Sequence, residues 1–179
     1  MARTGQADEA GRLHARVDVA GSGEARAVTG LPVLDHLLVL FAEYASFDLV
    51  LEIAPGEAEA EVAAAGRALG RALADPLRQK RCRGHGSAAV PADEALAHVA
   101  VEASGRPLVV SNVDLSDARV AGLASDIVAT FMRELAEGAG LTLHVRLIEG
   151  SDPEHVLEAI FKALGVALAQ SCRPRRKEE

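Results

Sequence analysis

The residues best suited to chemistry are histidines that stand close to carboxylates. His155 and Glu158 lie three positions apart in a segment with helical periodicity, so their side chains share one face of a helix. His36 follows Asp35 near the start of another predicted helix, and His144 lies on the non-core face of an alternating strand. Imidazole nitrogen and carboxylate oxygen are both ligands of transition metals. The pattern is compatible with a metal site, but His-x-x-Glu is common in helices, so a surface or structural role stays open for each histidine.

Charge and apolar patterning argue against several classes of function. The 179 residues carry a formal net charge of -7, which is unfavourable for a broad nucleic-acid-binding surface. The one basic run, Arg173–Lys177, stands at the end of the chain and is typical of a solvated tail. No segment approaches the roughly twenty apolar residues that span a membrane, and no apolar signal region opens the chain. Since Cys82 and Cys172 form neither a metal-ligand nor a disulfide pattern, we expect a cytoplasmic protein without membrane or nucleic-acid partners.

Hydrophobic periodicity predicts the same order of elements twice. Alternating apolar residues predict strands at 12–20, 25–29, 47–53, 96–103, 107–113 and 141–147. Apolar residues spaced by three and four predict helices at 31–45, 57–75, 119–137 and 152–170. The order indicates the α+β class, with duplicated β-β-α-β-α halves and helices on one face of each sheet.

This order divides the chain into two half-repeats, 1–78 and 92–171. A linker rich in Arg, Gly and Lys joins them at 79–91, and a flexible tail that is first basic and then acidic covers 172–179. Aromatic residues make up only 3% of the chain, so the core must be built from Val, Leu, Ile and Ala. Because alanine buries little apolar area, we expect subunit contacts to add burial.

Six segments resemble motifs of the imidazoleglycerol-phosphate dehydratase family, and they keep the family's order. Residues 29–38, TGLPVLDHLL, are similar to the family's TGIPFLDHML motif, and residues 149–163 resemble its HHxxEAxFKA helix. The other matches lie at 47–49, 90–96, 104–107 and 141–144. The resemblance extends from about residue 12 to residue 170.

The resemblance implies a duplicated α+β fold and a role in histidine biosynthesis. The family converts imidazoleglycerol phosphate to imidazoleacetol phosphate with manganese, in trimers that assemble into a larger shell with metal sites between subunits. The metal is needed because the hydrogen removed from carbon is scarcely acidic, so the imidazole ring must be held as an electron acceptor while the hydroxyl leaves. The resemblance therefore implies Mn²⁺, a small phosphorylated imidazole substrate, and a homo-oligomer that is a trimer or larger.

The family's pattern also implies roles for individual residues. The implied metal ligands, with one glutamate standing in for a histidine, are His36, His144, Glu154, His155 and Glu158. The candidate catalytic carboxylates are Glu59, Asp93 and Glu94, and the candidate substrate-binding residues are Arg83 and Arg106.

The two metal motifs of the family are altered in this sequence. Pro55 and Gly56 stand where the first motif has its two histidines, and only Glu59 coincides with that motif's glutamate. Tyr44 replaces the histidine that precedes the Phe-Asp-Leu strand, and Glu154 replaces the first histidine of the second motif. A carboxylate-rich site favours harder ions and holds an imidazolate less well.

Three other family motifs differ as well, among them the terminal stretch that helps to hold the substrate phosphate. The family's linker arginine falls on Gly84, with Arg83 adjacent, and its terminal Ser-Thr-Lys-Gly stretch is missing after Ser171. The N-terminal Thr-Lys-Glu-Thr signature is not recognisable, and residues 8–11 lie nearest to it. Losing the outer support of a metal ligand already costs about ten- to a hundredfold in affinity or activity, so losing ligands should cost more.

Three hypotheses follow. The first is a non-catalytic relative that keeps the scaffold, with impaired or lost dehydratase activity. The alternative is an active metal-dependent dehydratase with a reduced metal site. The third is a different reaction, in which the remaining histidines and carboxylates act as acid and base.

Overall fold

The chain folds into two four-stranded sheets with four helices and one short hairpin, counted over residues 3–7, 13–115, 119–120, 123–124 and 127–175, which the computed structural model describes. The predicted α+β class is confirmed. Residues 8–11, nearest to the family's N-terminal signature, lie outside the described residues, as do the last four residues of the predicted tail.

The first half forms one sheet and two helices. Its elements are β1 (Arg3–Ala7), β2 (Leu13–Asp18), β3 (Ala25–Val28), α1 (Pro32–Ala45), β4 (Asp48–Ile53) and α2 (Ala58–Arg78). The strand order is β1-β2-β4-β3, in which β3 is parallel to β4 and the other pairs are antiparallel.

The second half repeats this topology. Its elements are β5 (His85–Ala92), β6 (Ala95–Glu102), β7 (Leu108–Ser111), the β8–β9 hairpin (Arg119–Val120 and Leu123–Ala124), α3 (Ile127–Ala139), β10 (Thr142–Glu149) and α4 (Pro153–Cys172). The sheet order β5-β6-β10-β7 again ends in a parallel pair, because β10 is parallel to β7. The four-stranded sheet of each half therefore contains one strand more than the predicted β-β-α-β-α unit, and the second half has the β8–β9 hairpin in addition.

Two predicted segments differ from the structure. All but the last residue of strand β5 lies in the predicted linker 79–91, where alternation is weak because the residues are mostly small. Pro91 within it is tolerated since β5 is an edge strand, where a missing N–H costs no ladder bond. The helix predicted at 119–137 begins at Ile127, because the preceding residues pair as the antiparallel β8–β9 hairpin.

The helices lie against the sheets and against one another. Helices α1 and α2 contact the first sheet, α3 and α4 contact the second, and the helices meet mainly as the pairs α2–α3 and α1–α4. The fully buried rings of the core are Phe41, Phe47, Phe131 and Phe161. The backbones of α1 and α4 approach closely at Gly165, where an added Cβ would lie 2.4 Å from the carbonyl oxygen of Phe41. None of the described helices is long and apolar enough to cross a membrane.

Candidate functional site

The close contact of α1 with α4 brings His36 to Glu158. The His36 Nε2 atom lies 3.0 Å from Glu158 Oε1, so the imidazole N–H donates to the carboxylate. Asp35 orients the start of α1, because its Oδ1 accepts hydrogen bonds from the backbone N–H and hydroxyl of Thr29, at 2.8 and 2.7 Å. Two of the predicted ligands are thus paired within one chain.

The second oxygen of Glu158 is occupied by a lysine. Lys162 Nζ lies 3.3 Å from Glu158 Oε2, one helical turn further along α4, and its side chain is only 14% exposed. The same ammonium lies 5.7 Å from the ring centroid of Tyr44, within cation–π range. The hydrogen bond from His36, followed by the contact with Lys162, lowers the pKa of Glu158. Sequence reasoning assigned no role to Lys162, although its i,i+4 spacing from Glu158 was a visible signal.

A small cavity adjoins this pair. It has a volume of about 190 Å³ and is lined by His36, Glu154 and Glu158 together with apolar residues of α1 and α4 and Val120 of β8. The exposed Glu154 stands in the first turn of α4, where its backbone N–H donates to Asp152 Oδ1 at 2.8 Å. Three of the predicted metal ligands therefore border one cavity, and His155 does not line it.

His155 instead contacts the turn between β5 and β6. Its Nδ1 atom lies 2.6 Å from Glu94 Oε2, and its Nε2 atom lies 3.4 Å from Asp93 Oδ2. Glu94 also accepts hydrogen bonds from the backbone N–H groups of Ser151 and Asp152, at 3.3 and 2.9 Å. Asp93 has a φ of 46°, in the left-handed region where aspartate is enriched among non-glycine residues. We call Asp93, Glu94 and His155 the turn cluster.

The contacts within the turn cluster stabilise the charged forms of Glu94 and His155. The amide of Asp152 and then the imidazole of His155 lower the pKa of Glu94 from its ordinary value of 4.5 to about 2. Its hydrogen bond to Glu94 raises the pKa of His155 above its ordinary value of 6.5. An imidazolium between two carboxylates is the state this geometry stabilises.

Two other predicted residues lie apart from these groups. His144 is exposed on β10, and in the sheet it stands beside Ala100 and Val110, neither of which is a metal ligand. Glu59 is exposed in the first turn of α2, and no ion pair to it occurs among the described residues. Within one chain, neither residue joins the predicted metal site.

The two predicted substrate-binding arginines stand on neighbouring segments at one end of the second sheet. Arg83 precedes β5 and its Nε donates to His85 Nε2 at 3.2 Å, whereas Arg106 is exposed in the turn between β6 and β7. The backbone N–H of Ala103 donates to the carbonyl oxygen of Gly84 at 2.7 Å, which joins the two segments. Both cationic side chains are accessible to an anion.

A buried glutamate closes the loop that replaces the family's first metal motif. Glu61 is 5% exposed, and its carboxylate accepts a hydrogen bond from the backbone N–H of Gly56. The same carboxylate lies beneath Gly30, where an added Cβ would meet its oxygens at 3.2 and 3.3 Å. Sequence reasoning missed Glu61, because burial in the first turns of a helix has no signal in apolar spacing.

The donor atoms of a single chain do not fit a manganese centre. No group of three or more His, Cys, Asp or Glu side chains placed to hold a metal occurs in the part of the chain that the structure describes. Glu158 already binds the cationic Lys162, and the Nδ1 contact of His155 with Glu94 leaves only Nε2, which faces Asp93.

A larger cavity lies away from these groups. It has a volume of about 620 Å³, between α3 and β7, and its walls include Val109, Met132, Val145 and Ile160. None of the predicted site residues lines it.

Comparisons with known proteins identify the family. The family model for imidazoleglycerol-phosphate dehydratase matches residues 29–168. The chain is 38% identical over 176 residues to the imidazoleglycerol-phosphate dehydratase of Acetivibrio thermocellus, covering 96% of this chain and 88% of that one. It is 41% identical over 167 residues to that of Syntrophobacter fumaroxidans, covering 90% and 84%.

Solved structures give the same result. The chain superimposes on imidazoleglycerol-phosphate dehydratase from Staphylococcus aureus with a TM-score of 0.88 at 29% identity, covering 98% of this chain and all of that one. The corresponding Pyrococcus furiosus structure gives a TM-score of 0.82 at 28% identity, covering 96% and 94%. The chain belongs to the imidazoleglycerol-phosphate dehydratase family, whose role is in histidine biosynthesis.

Proposed function

We propose that this chain is a member of the family in which manganese-dependent dehydration of imidazoleglycerol phosphate is lost or strongly impaired. The observation that carries the proposal is the separation of His155 from Glu158. These residues form one His-x-x-Glu motif, yet His155 contacts Glu94 while Glu158 contacts His36 and Lys162. Within one chain the two side chains contact different protein groups and do not converge on one site.

Changes in the first metal motif support the same proposal. Pro55 and Gly56 replace its two histidines, and the carboxylate of Glu61 binds the backbone of that loop. Proline and glycine offer no side-chain donor to a metal. Since loss of an outer-shell partner alone costs about ten- to a hundredfold in affinity or activity, loss of two direct ligands should reduce activity far more.

The retained groups are suited to binding a small phosphorylated imidazole compound. Arg83 and Arg106 are exposed cations on neighbouring segments, and guanidinium groups bind phosphate oxygens in a bidentate manner. The carboxylates of Glu154 and Glu158 border the small cavity beside His36 and can accept hydrogen bonds from an imidazole N–H.

The alternative function is an active dehydratase with a reduced manganese site. Two observations favour it: relatives 38% and 41% identical carry the dehydratase name, and the histidine–carboxylate pairs of His36 and His155 are kept. In the family, metal sites lie between subunits, so a second copy could supply donors that one chain lacks.

Turnover of imidazoleglycerol phosphate in excess Mn²⁺ distinguishes the proposed function from the alternative. The Acetivibrio thermocellus relative serves as the positive control, and the His155→Ala variant of this chain sets the background. We expect turnover by the relative and none above background by this chain. Turnover that His155→Ala abolishes would reject the proposal and establish the alternative.

Assembly provides a second test. We propose a homo-oligomer that stops at the trimer, because metal sites that would join subunits into a larger shell are incomplete. Light scattering with and without Mn²⁺ measures this, and a shell that forms only with Mn²⁺ would contradict the proposal.

A further inference from the structure

We infer that Glu94 is a positioning residue that holds the neutral His155 ring in the tautomer protonated on Nδ1 and fastens the β5–β6 turn to the start of α4. The inference deepens the proposed function, on which its relevance to ligand binding rests, by naming the His155 nitrogen that a ligand can reach. Its geometry does not depend on whether the protein is active.

The carboxylate of Glu94 contacts the ring of His155 directly. Glu94 Oε2 lies 2.6 Å from His155 Nδ1, a distance typical of a strong charge-assisted hydrogen bond. An ionised carboxylate only accepts hydrogen bonds, so the proton between the two groups belongs to Nδ1.

The carboxylate of Glu94 is itself held in place by backbone hydrogen bonds. Glu94 Oε1 accepts the backbone N–H groups of Ser151 and Asp152, at 3.3 and 2.9 Å, and Asp152 caps the first turn of α4 through its contact with Glu154. These backbone donors cannot reverse their polarity. Oε1 of Glu94 must therefore accept hydrogen bonds, and in a carboxylate Oε2 accepts hydrogen bonds as well.

The consequence is that Nε2 carries the lone pair of the neutral ring. This nitrogen faces Asp93 Oδ2 at 3.4 Å, and the Asp93 side chain is 72% exposed. A ligand, cation or proton that reaches His155 from solvent therefore meets Nε2, beside a carboxylate that attracts positive charge. A second-shell carboxylate that sets the histidine tautomer is a general device of ligand sites.

The matched variants are Glu94→Gln and Asp93→Asn. A glutamine at position 94 keeps its carbonyl oxygen on the Ser151 and Asp152 N–H groups, which turns its NH₂ toward His155. Nδ1 must then accept, so the proton moves to Nε2. Asp93→Asn leaves the Glu94 contact intact and can donate to Nε2, so the Nδ1–H tautomer persists.

Nitrogen-15 and carbon-13 NMR of labelled histidine, at alkaline pH where the ring is neutral, reports the tautomer directly. We expect Nδ1–H for His155 in the wild type and in Asp93→Asn, and its loss in favour of Nε2–H in Glu94→Gln. Wild-type His155 in the Nε2–H form would overturn the inference even if the variant does not fold, as would Nδ1–H in a folded Glu94→Gln. Dehydratase turnover by the wild type would reject the proposed function without changing either tautomer, so the two failures are distinguishable.

Discussion

The close approach of α1 and α4 predicts that Gly165→Ala destabilises the protein although alanine is the better helix former. An alanine Cβ would lie 2.4 Å from the carbonyl oxygen of Phe41 and 3.1 Å from the backbone nitrogen of Ala45. Ordinary contact begins near 3.4 Å, so the two helices must separate by about an ångström. Both atoms belong to the backbone of α1, so no change of side-chain rotamer can relieve the clash.

Two effects of opposite sign set the magnitude. Overpacking costs about 1–3 kcal/mol, and the upper part of that range, about 2–3 kcal/mol, applies where the clashing atoms are backbone. Replacing glycine by alanine inside a helix returns about 1 kcal/mol. The net loss of unfolding free energy should be about 1–2 kcal/mol, which lowers Tm by roughly 2–8 °C for a chain of this length. If the helices separate, the contact of His36 with Glu158 weakens and the pKa of Glu158 rises toward its ordinary value.

Thermal unfolding followed by circular dichroism at fixed protein concentration measures the first effect, and NMR titration of Glu158 measures the second. Gly56→Ala is the control, because no atom lies within 4 Å of the Cβ it would add. We expect no fall in its Tm. An unchanged or raised Tm for Gly165→Ala would show that helix propensity wins and that the α1–α4 contact is not as close as described.

Three further predictions concern charge and thiol chemistry. Lys162→Met should raise the pKa of Glu158, which NMR titration detects, and should cost about 1 kcal/mol in urea unfolding because the lost ion pair is partly buried; an unchanged pKa would refute the contact. The raised pKa of His155 contributes stability below pH 6.5 that is lost as pH rises through the folded-state value, whereas the lowered pKa of Glu94 contributes stability above pH 4.5 that is lost as pH falls toward about 2. The difference in urea midpoint between the wild type and Glu94→Gln should therefore peak between pH 4.5 and 6.5, and a flat difference would contradict the ion pair. Burial raises the pKa of the Cys172 thiol to about 12, so it should react with a thiol reagent far more slowly in the native protein than in urea, and equal rates would refute its burial.

Local periodicity was enough to predict most of the elements. The strand at Asp48–Ile53 and the helix at Pro153–Cys172 follow apolar spacings of two and of three to four, which record the face each element buries. Strand β5 was not predicted because small residues and Pro91 obscure the apolar alternation. Its extended conformation depends on pairing with β6. The extra strand β1 likewise depends on its partner, since its sequence RTGQA shows no apolar alternation.

The candidate site was predictable only in its residue types. Family motifs named His155, Glu158 and Glu94, but no local pattern could reveal that His155 turns toward Glu94, which is 61 positions away, rather than toward the ion that Glu158 was expected to share. That choice is made by the hairpin turn and the start of α4, which meet only in the folded chain. Lys162, in contrast, stands at i,i+4 from Glu158 and was open to prediction from spacing alone.

Manganese content tests most directly the proposed loss of the family's metal site. The purified chain is incubated with excess Mn²⁺, dialysed and measured by inductively coupled plasma mass spectrometry, beside its His155→Ala variant and the Acetivibrio thermocellus relative. We expect the relative to retain manganese stoichiometrically and this chain to retain no more than its variant. Stoichiometric manganese in this chain that is lost on His155→Ala would contradict the proposed loss.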